Sequence, residues 1–80
     1  MTFKQATKHF QPTSDALRVL EYLNSQAGGS GILLICDRLG LSYNTVYAIL
    51  DRAADCHLVD YYARDGWKIR KPGREFLNQR

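Results

Sequence analysis

The residues able to make bonds or hold metals are scattered through this chain. Cys36 and Cys56 have nineteen residues between them and belong to no Cys-x-x-Cys pair. His9 and His57 lie far apart, and no His-x-x-x-His spacing occurs. Cys56 and His57 are adjacent at what reads as a helix end, where both cannot easily ligate one ion. Gly28-Gly29-Ser30-Gly31 lacks the Gly-Lys-Ser/Thr of a phosphate loop and reads as a flexible link. Asp51 and Asp55 stand one helical turn apart, with no base that spacing places beside them. No enzyme is therefore expected, with no catalytic residue, no metal and no cofactor. The cysteines are expected to be reduced, acting as small hydrophobes in a cytoplasmic protein.

What the chain does concentrate is charge. It has 80 residues, with 11 Lys and Arg against 8 Asp and Glu, a formal net charge of +3. Residues 58–80 hold six basic side chains against three acidic ones, whereas residues 31–57 hold two against three. Arg64, Lys68 and Arg70, followed by Lys71 and Arg74, thus make one basic segment, suited to an anionic partner. The plainer alternative is a strand edge kept soluble by Lys and Arg. No unbroken apolar run exceeds five residues, against about 20 for a membrane span. Neither a membrane segment nor a secretion signal is expected.

The elements that position these residues follow from hydrophobic spacing. Residues 1–13 show no period and form an N-terminal arm, with Phe3 and Phe10 its large apolar side chains. Residues 14–80 form one domain. Thr13 and Ser14 are both good caps for a first helix whose stripe is Ala16, Val19, Leu20 and Leu23. The glycines at 28–31 stop it. Ser30 is read as the cap of a short second helix, roughly 31–39, with Ile32, Ile35, Cys36 and Leu39 inward and Gly40 at its end. Ser42 caps a third, about 42–55, with Val46, Ile49, Leu50 and Ala53 inward.

From Leu58 the period falls to two, and Asp65-Gly66 signals a hairpin over about 58–71. A two-residue turn would mix aromatic and charged side chains on one face. A three-residue loop, Arg64-Asp65-Gly66, puts Ala63 opposite Trp67 and Tyr61 opposite Ile69, and gathers Val59, Tyr61, Ala63, Trp67 and Ile69 on one face. That second register is preferred, with Gly66 at positive φ. Pro72 then opens a short C-terminal helix. The fold class is α+β: a three-helix core with a β-hairpin and a short C-terminal helix.

Residues 30–59, SGILLICDRLGLSYNTVYAILDRAADCHLV, resemble winged helix-turn-helix transcription regulators of the bacterial and archaeal kind. Leu39-Gly40-Leu41-Ser42 looks like the turn of that family, and Thr45-Val46-Tyr47 like the opening of its third helix. The tail from Ile69 to Leu77 is similar to the wing exit of MarR- and PadR-like members. The likeness covers residues 14–77. It implies sequence-specific binding to double-stranded DNA, with the third helix in the major groove. Ser42, Tyr43, Asn44, Tyr47, Ala48 and Asp51 would face that groove, flanked by Thr45 and Arg52. On this reading Asn44 pairs with adenine, while the tyrosine hydroxyls and Arg52 reach phosphates or base edges. Arg64, Lys68 and Arg70 of the wing would follow phosphates or the minor groove. Without the resemblance, the same helix face reads as the solvated side of an amphipathic helix.

Three departures from the family pattern stand out. The third helix is not basic. His57 stands where many relatives have glycine, and is read as a helix stop tolerant of positive φ. Leu33 and Leu34 are apolar where relatives are polar. With Phe3 and Phe10 they are expected to form a covered patch, either under the arm or against a second subunit of a homodimer. The alternative function is a protein-interaction module of a larger assembly, or a replication-origin or RNA-binding accessory protein.

Overall fold

Thr13 starts the first helix: its Oγ1 accepts the Ala16 N–H at 3.1 Å, which fills one of the bonds a helix N-terminus lacks. The structure, a computed structural model, describes residues 13–79. Among them are four helices and one two-stranded antiparallel hairpin: α1 (Ser14–Ser25), α2 (Ile32–Leu39), α3 (Tyr43–Asp55), β1 (Val59–Tyr62), β2 (Gly66–Ile69) and α4 (Lys71–Asn78). This α+β arrangement is compatible with a winged helix. All but the last residue of the expected arm, and with them Phe3 and Phe10, lie outside the described residues.

The apolar stripes meet as their spacing predicts. Ala16, Val19, Leu20 and Leu23 of α1 pack with Ile35 of α2, Val46, Leu50 and Ala53 of α3, and Leu58, Val59 and Ile69 of the hairpin. Ile32, Cys36 and Leu39 of α2 and Ile49 of α3, all expected inward, are only half-buried, at the edge of this cluster. Burying a side chain the size of Leu20 or Leu50 contributes about 1.5–3 kcal/mol, so this cluster is the main source of stability.

The helix ends explain the turns. Gly40 sits at φ +68, and its N–H and that of Leu41 both donate to the Cys36 carbonyl, at 2.8 and 3.1 Å. That left-handed cap lets α3 begin only three residues after α2 ends. Arg18 on α1 adds a side-chain cap, donating to the Leu39 carbonyl at 2.7 Å. At the end of α3, His57 adopts φ +62, as its reading as a helix stop requires. Its N–H donates to Ala54 and the Leu58 N–H to Ala53, the bonding pattern of a Schellman motif. The chain thereby turns from α3 into β1 within three residues.

Two expectations need correction. Ser30 does not cap α2; Gly31 does, without a side-chain bond. Ser30 is instead buried, and its backbone exchanges two hydrogen bonds with Trp67, at 3.0 and 2.8 Å, forming a one-residue bridge on the free edge of β2. The hairpin register is also displaced by two residues from the one preferred above. Val59 pairs with Ile69, Tyr61 with Trp67 and Tyr62 with Gly66, and the three-residue loop is Ala63-Arg64-Asp65. A two-residue slip keeps the strand side chains on their faces, so Val59, Tyr61, Trp67 and Ile69 still share one while their partners change, but Ala63 moves out of the strand into the exposed loop. The Tyr62 carbonyl closes the loop on the Asp65 N–H at 3.1 Å.

Gly66 is the residue this corner requires. It sits at φ +92, and a Cβ there would lie 2.7 Å from the Ser30 carbonyl carbon and oxygen. Gly66→Ala is expected to lower stability by about 1–3 kcal/mol, the usual cost of a residue held in a disfavoured backbone region. Urea denaturation followed by circular dichroism checks this; an unchanged midpoint would contradict it.

Candidate nucleic-acid interface

The outward face of α3 is the complement of its buried stripe. Val46, Leu50 and Ala53 point into the core, which leaves Tyr43, Asn44, Tyr47, Ala48, Asp51 and Arg52 exposed. Tyr43 and Tyr47 are one turn apart and stack, with centroids 6.2 Å apart and planes 14° from parallel, each about half exposed.

Ser42 and Thr45 are already engaged. The Ser42 hydroxyl accepts the Thr45 N–H at 3.2 Å and donates to Thr45 Oγ1 at 2.8 Å. These two side chains hold the start of α3, which places its first turn and its positive dipole end at the surface. A phosphate there would meet backbone N–H groups; Asp51 and Asp55, further along the helix and both exposed, would repel one.

The hairpin carries the cations, but unequally. Arg64 is exposed in the loop, and Arg70 is exposed directly after β2, its backbone N–H donating to the Leu58 carbonyl at 2.9 Å. Neither side chain makes an ion pair among the described residues. Lys68 differs: its Nζ lies 3.0 Å from Asp65 Oδ2 and 5.5 Å from the centroid of the Tyr62 ring. That lysine is paired and partly covered, so Arg64 and Arg70 are the hairpin cations with charge to spare. Their placement relative to α3 is set by the short turn through His57 and by the Ser30–Trp67 bridge.

Sequence reasoning missed an aromatic pair at the far end of the hairpin. Tyr61 and Trp67 are cross-strand partners, with centroids 5.3 Å apart and planes at 58°. The alternation put Val59, Tyr61, Trp67 and Ile69 on one face, and the first and last are buried as that implies. Nearer the turn the two rings differ: Trp67 is half-buried and packs against the core, whereas Tyr61 stays 56% exposed. The signal was a Tyr–Trp pair next to the turn rather than at the strand base.

Leu33 is 74% and Leu34 42% exposed on α2, an apolar patch among the described residues. Both cysteines are free, Cys36 half-buried and Cys56 buried. Burial pushes the Cys56 thiol above its ordinary value, Asp55 adds to the rise, and Arg52 partly opposes it. A raised thiol pKa means that the folded state holds the proton more tightly than the unfolded chain. Stability from this group is therefore full below the unfolded pKa and declines as pH rises above it. Alkylation by iodoacetamide at mildly alkaline pH is expected to label Cys36 well before Cys56, as peptide mass mapping would read; equal rates would contradict it.

Among the described residues no three His, Cys, Asp or Glu side chains gather as a metal site would need, and no helix is long and apolar enough to cross a membrane. No family model, no curated protein and no solved structure matches the chain.

Proposed function

We propose that this chain is a small winged helix-turn-helix protein that binds double-stranded DNA sequence-specifically and acts as a transcription regulator. In this reading α3 enters the major groove, and the hairpin is the wing that follows phosphates or the minor groove. The observation that carries it is the order of parts: a tightly capped turn presents the polar and aromatic face of α3, and a cationic hairpin follows it directly. The Ser30–Trp67 bridge supports the reading, because it ties the hairpin back to the segment before α2 and keeps it from swinging. Asn44 pairs with adenine, Tyr43 and Tyr47 reach phosphates or base edges, Ala48 lets the groove come close, and Arg52, Arg64 and Arg70 neutralise phosphates. Ser42 and Thr45 contribute through the helix start they hold. A homodimer would place two such helices on half-sites about one helical turn apart.

Titration with random-sequence duplex DNA, followed by backbone NMR at low and moderate salt, tests this. Shifts are expected at Tyr43–Ala48 and Arg64–Arg70, shrinking as salt rises. No shifts, or shifts confined to Leu33 and Leu34, would overturn it. The second outcome would favour a protein-interaction module, the reading supported by the exposed Leu33–Leu34 pair and by the acidic residues of α3.

A further inference from the structure

The far end of the hairpin has a recess that duplex binding by α3 does not use. Gly31 and Ile32 at the start of α2, Tyr61 and Trp67 of the hairpin, and Arg64 and Asp65 at the rim line an open recess of about 400 Å³. A volume near that size falls in the range of small-ligand sites, roughly 300–1,000 Å³. The two rings pack on each other at a tilt, with centroids 5.3 Å apart, and Tyr61 remains 56% exposed. The rim is not charge-neutral: Asp65 is occupied by Lys68, whereas Arg64 has no ion-pair partner among the described residues. An open aromatic wall beside an unspent guanidinium suits a flat, electron-rich ring attached to an anion.

We propose that this recess is a stacking site for an unpaired base of single-stranded nucleic acid. The base lies on the exposed Tyr61 ring, which Trp67 backs at a tilt, with Ile32 against its edge, and Arg64 pairs with the adjoining phosphate. Charge complementarity selects this occupant: of the two charged side chains at the rim, Asp65 is paired with Lys68, which leaves the Arg64 guanidinium for an anion. Stacking is sequence-tolerant, because every base has a π-face, so the site binds strands without reading them. It is separate from the α3 face but shares Arg64 with the hairpin contacts of the duplex reading, so Tyr61→Leu rather than Arg64→Gln tells the two proposals apart.

Trp67 is the chain's sole tryptophan, so its emission reports directly on the site. The probe is an oligothymidylate of about 12 nucleotides, within the roughly 4–16 that a single-strand groove spans. It is expected to quench Trp67, with an affinity that falls as salt rises. Tyr61→Phe retains the ring and the affinity. Tyr61→Leu retains apolar bulk but is expected to weaken binding about 5- to 150-fold, what one base–aromatic stack is worth. Arg64→Gln weakens binding and flattens its salt dependence by about one phosphate contact. Circular dichroism confirms that each variant is folded; Tyr61→Phe and Arg64→Gln keep the test decisive if Tyr61→Leu is not. Absence of quenching at low salt would overturn the proposal, as would equal binding by Tyr61→Leu and the parent. So would a concentration-dependent blue shift without DNA, which would mean that a second copy fills the recess. Quenching without duplex-induced shifts at Tyr43–Ala48 would remove the duplex reading alone, and the converse would remove only this one.

Discussion

Leu20→Ala is expected to leave this domain largely unfolded at room temperature. Leu20 is fully buried at the centre of the α1 stripe, within the cluster that joins α1 to α2, α3 and the hairpin. Truncating such a leucine removes its transfer energy and leaves a cavity that neighbours close only in part, a cost of about 2–5 kcal/mol. A single core in a chain of this size supplies only about 3–5 kcal/mol. The loss therefore approaches the whole reserve, whereas in a larger domain it would merely lower a midpoint. Urea denaturation by circular dichroism should show little or no folded baseline for the variant. Leu33→Ala, at an equally apolar but exposed position, is the contrast and should fall within about 0.5 kcal/mol of the parent. A Leu20→Ala midpoint close to the parent's would mean that the core is not what holds the fold together.

The helices were legible because their burial is periodic. Ala16, Val19, Leu20 and Leu23 repeat at helical spacing, and nothing in their surroundings competes with that signal. The positive φ at His57 was legible too, since a helix that must turn into a strand within three residues needs a left-handed residue there. Ser30 was not. A strand of one residue has no period, and a serine before a helix resembles a cap whichever role it takes. The register error has the same origin: alternation fixes which face a side chain occupies, but not how far one strand slides along the other by even steps. Here Ser30 and Gly66 settle it, packed so closely that no side chain fits between them.

The candidate site was read unevenly for related reasons. The outward face of α3 follows from its inward one. What each polar group there is already doing does not follow from spacing. The engagement of Ser42 with Thr45 and of Lys68 with Asp65 depends on side-chain geometry. These contacts change the site's electrostatics more than any misplaced boundary, because they decide which cations remain for a phosphate.

That accounting yields the second large effect. On the duplex reading, each phosphate neutralised contributes about −0.9 to the slope of log affinity against log salt. Arg52, Arg64 and Arg70, without ion pairs among the described residues, together give about −2.7, so raising salt from about 50 to 200 mM weakens binding about 40-fold. Counting Lys68 as well would give about −3.6 and a loss of about 150-fold. The smaller value is expected, because moving Lys68 to a phosphate would leave the Asp65 carboxylate unpaired next to that phosphate. Asp65→Asn removes this competitor and keeps a residue suited to the turn. It should tighten duplex binding and steepen the slope toward −3.6, whereas Arg70→Gln should weaken binding and flatten it toward −1.8. Fluorescence anisotropy with a labelled random duplex across a salt series reads both. If neither substitution moves the slope, the hairpin does not lie on the phosphates, and the duplex reading loses its electrostatic half. If Asp65→Asn alone has no effect, Lys68 already reaches the backbone in the complex, and the ion pair at 3.0 Å belongs only to the free protein.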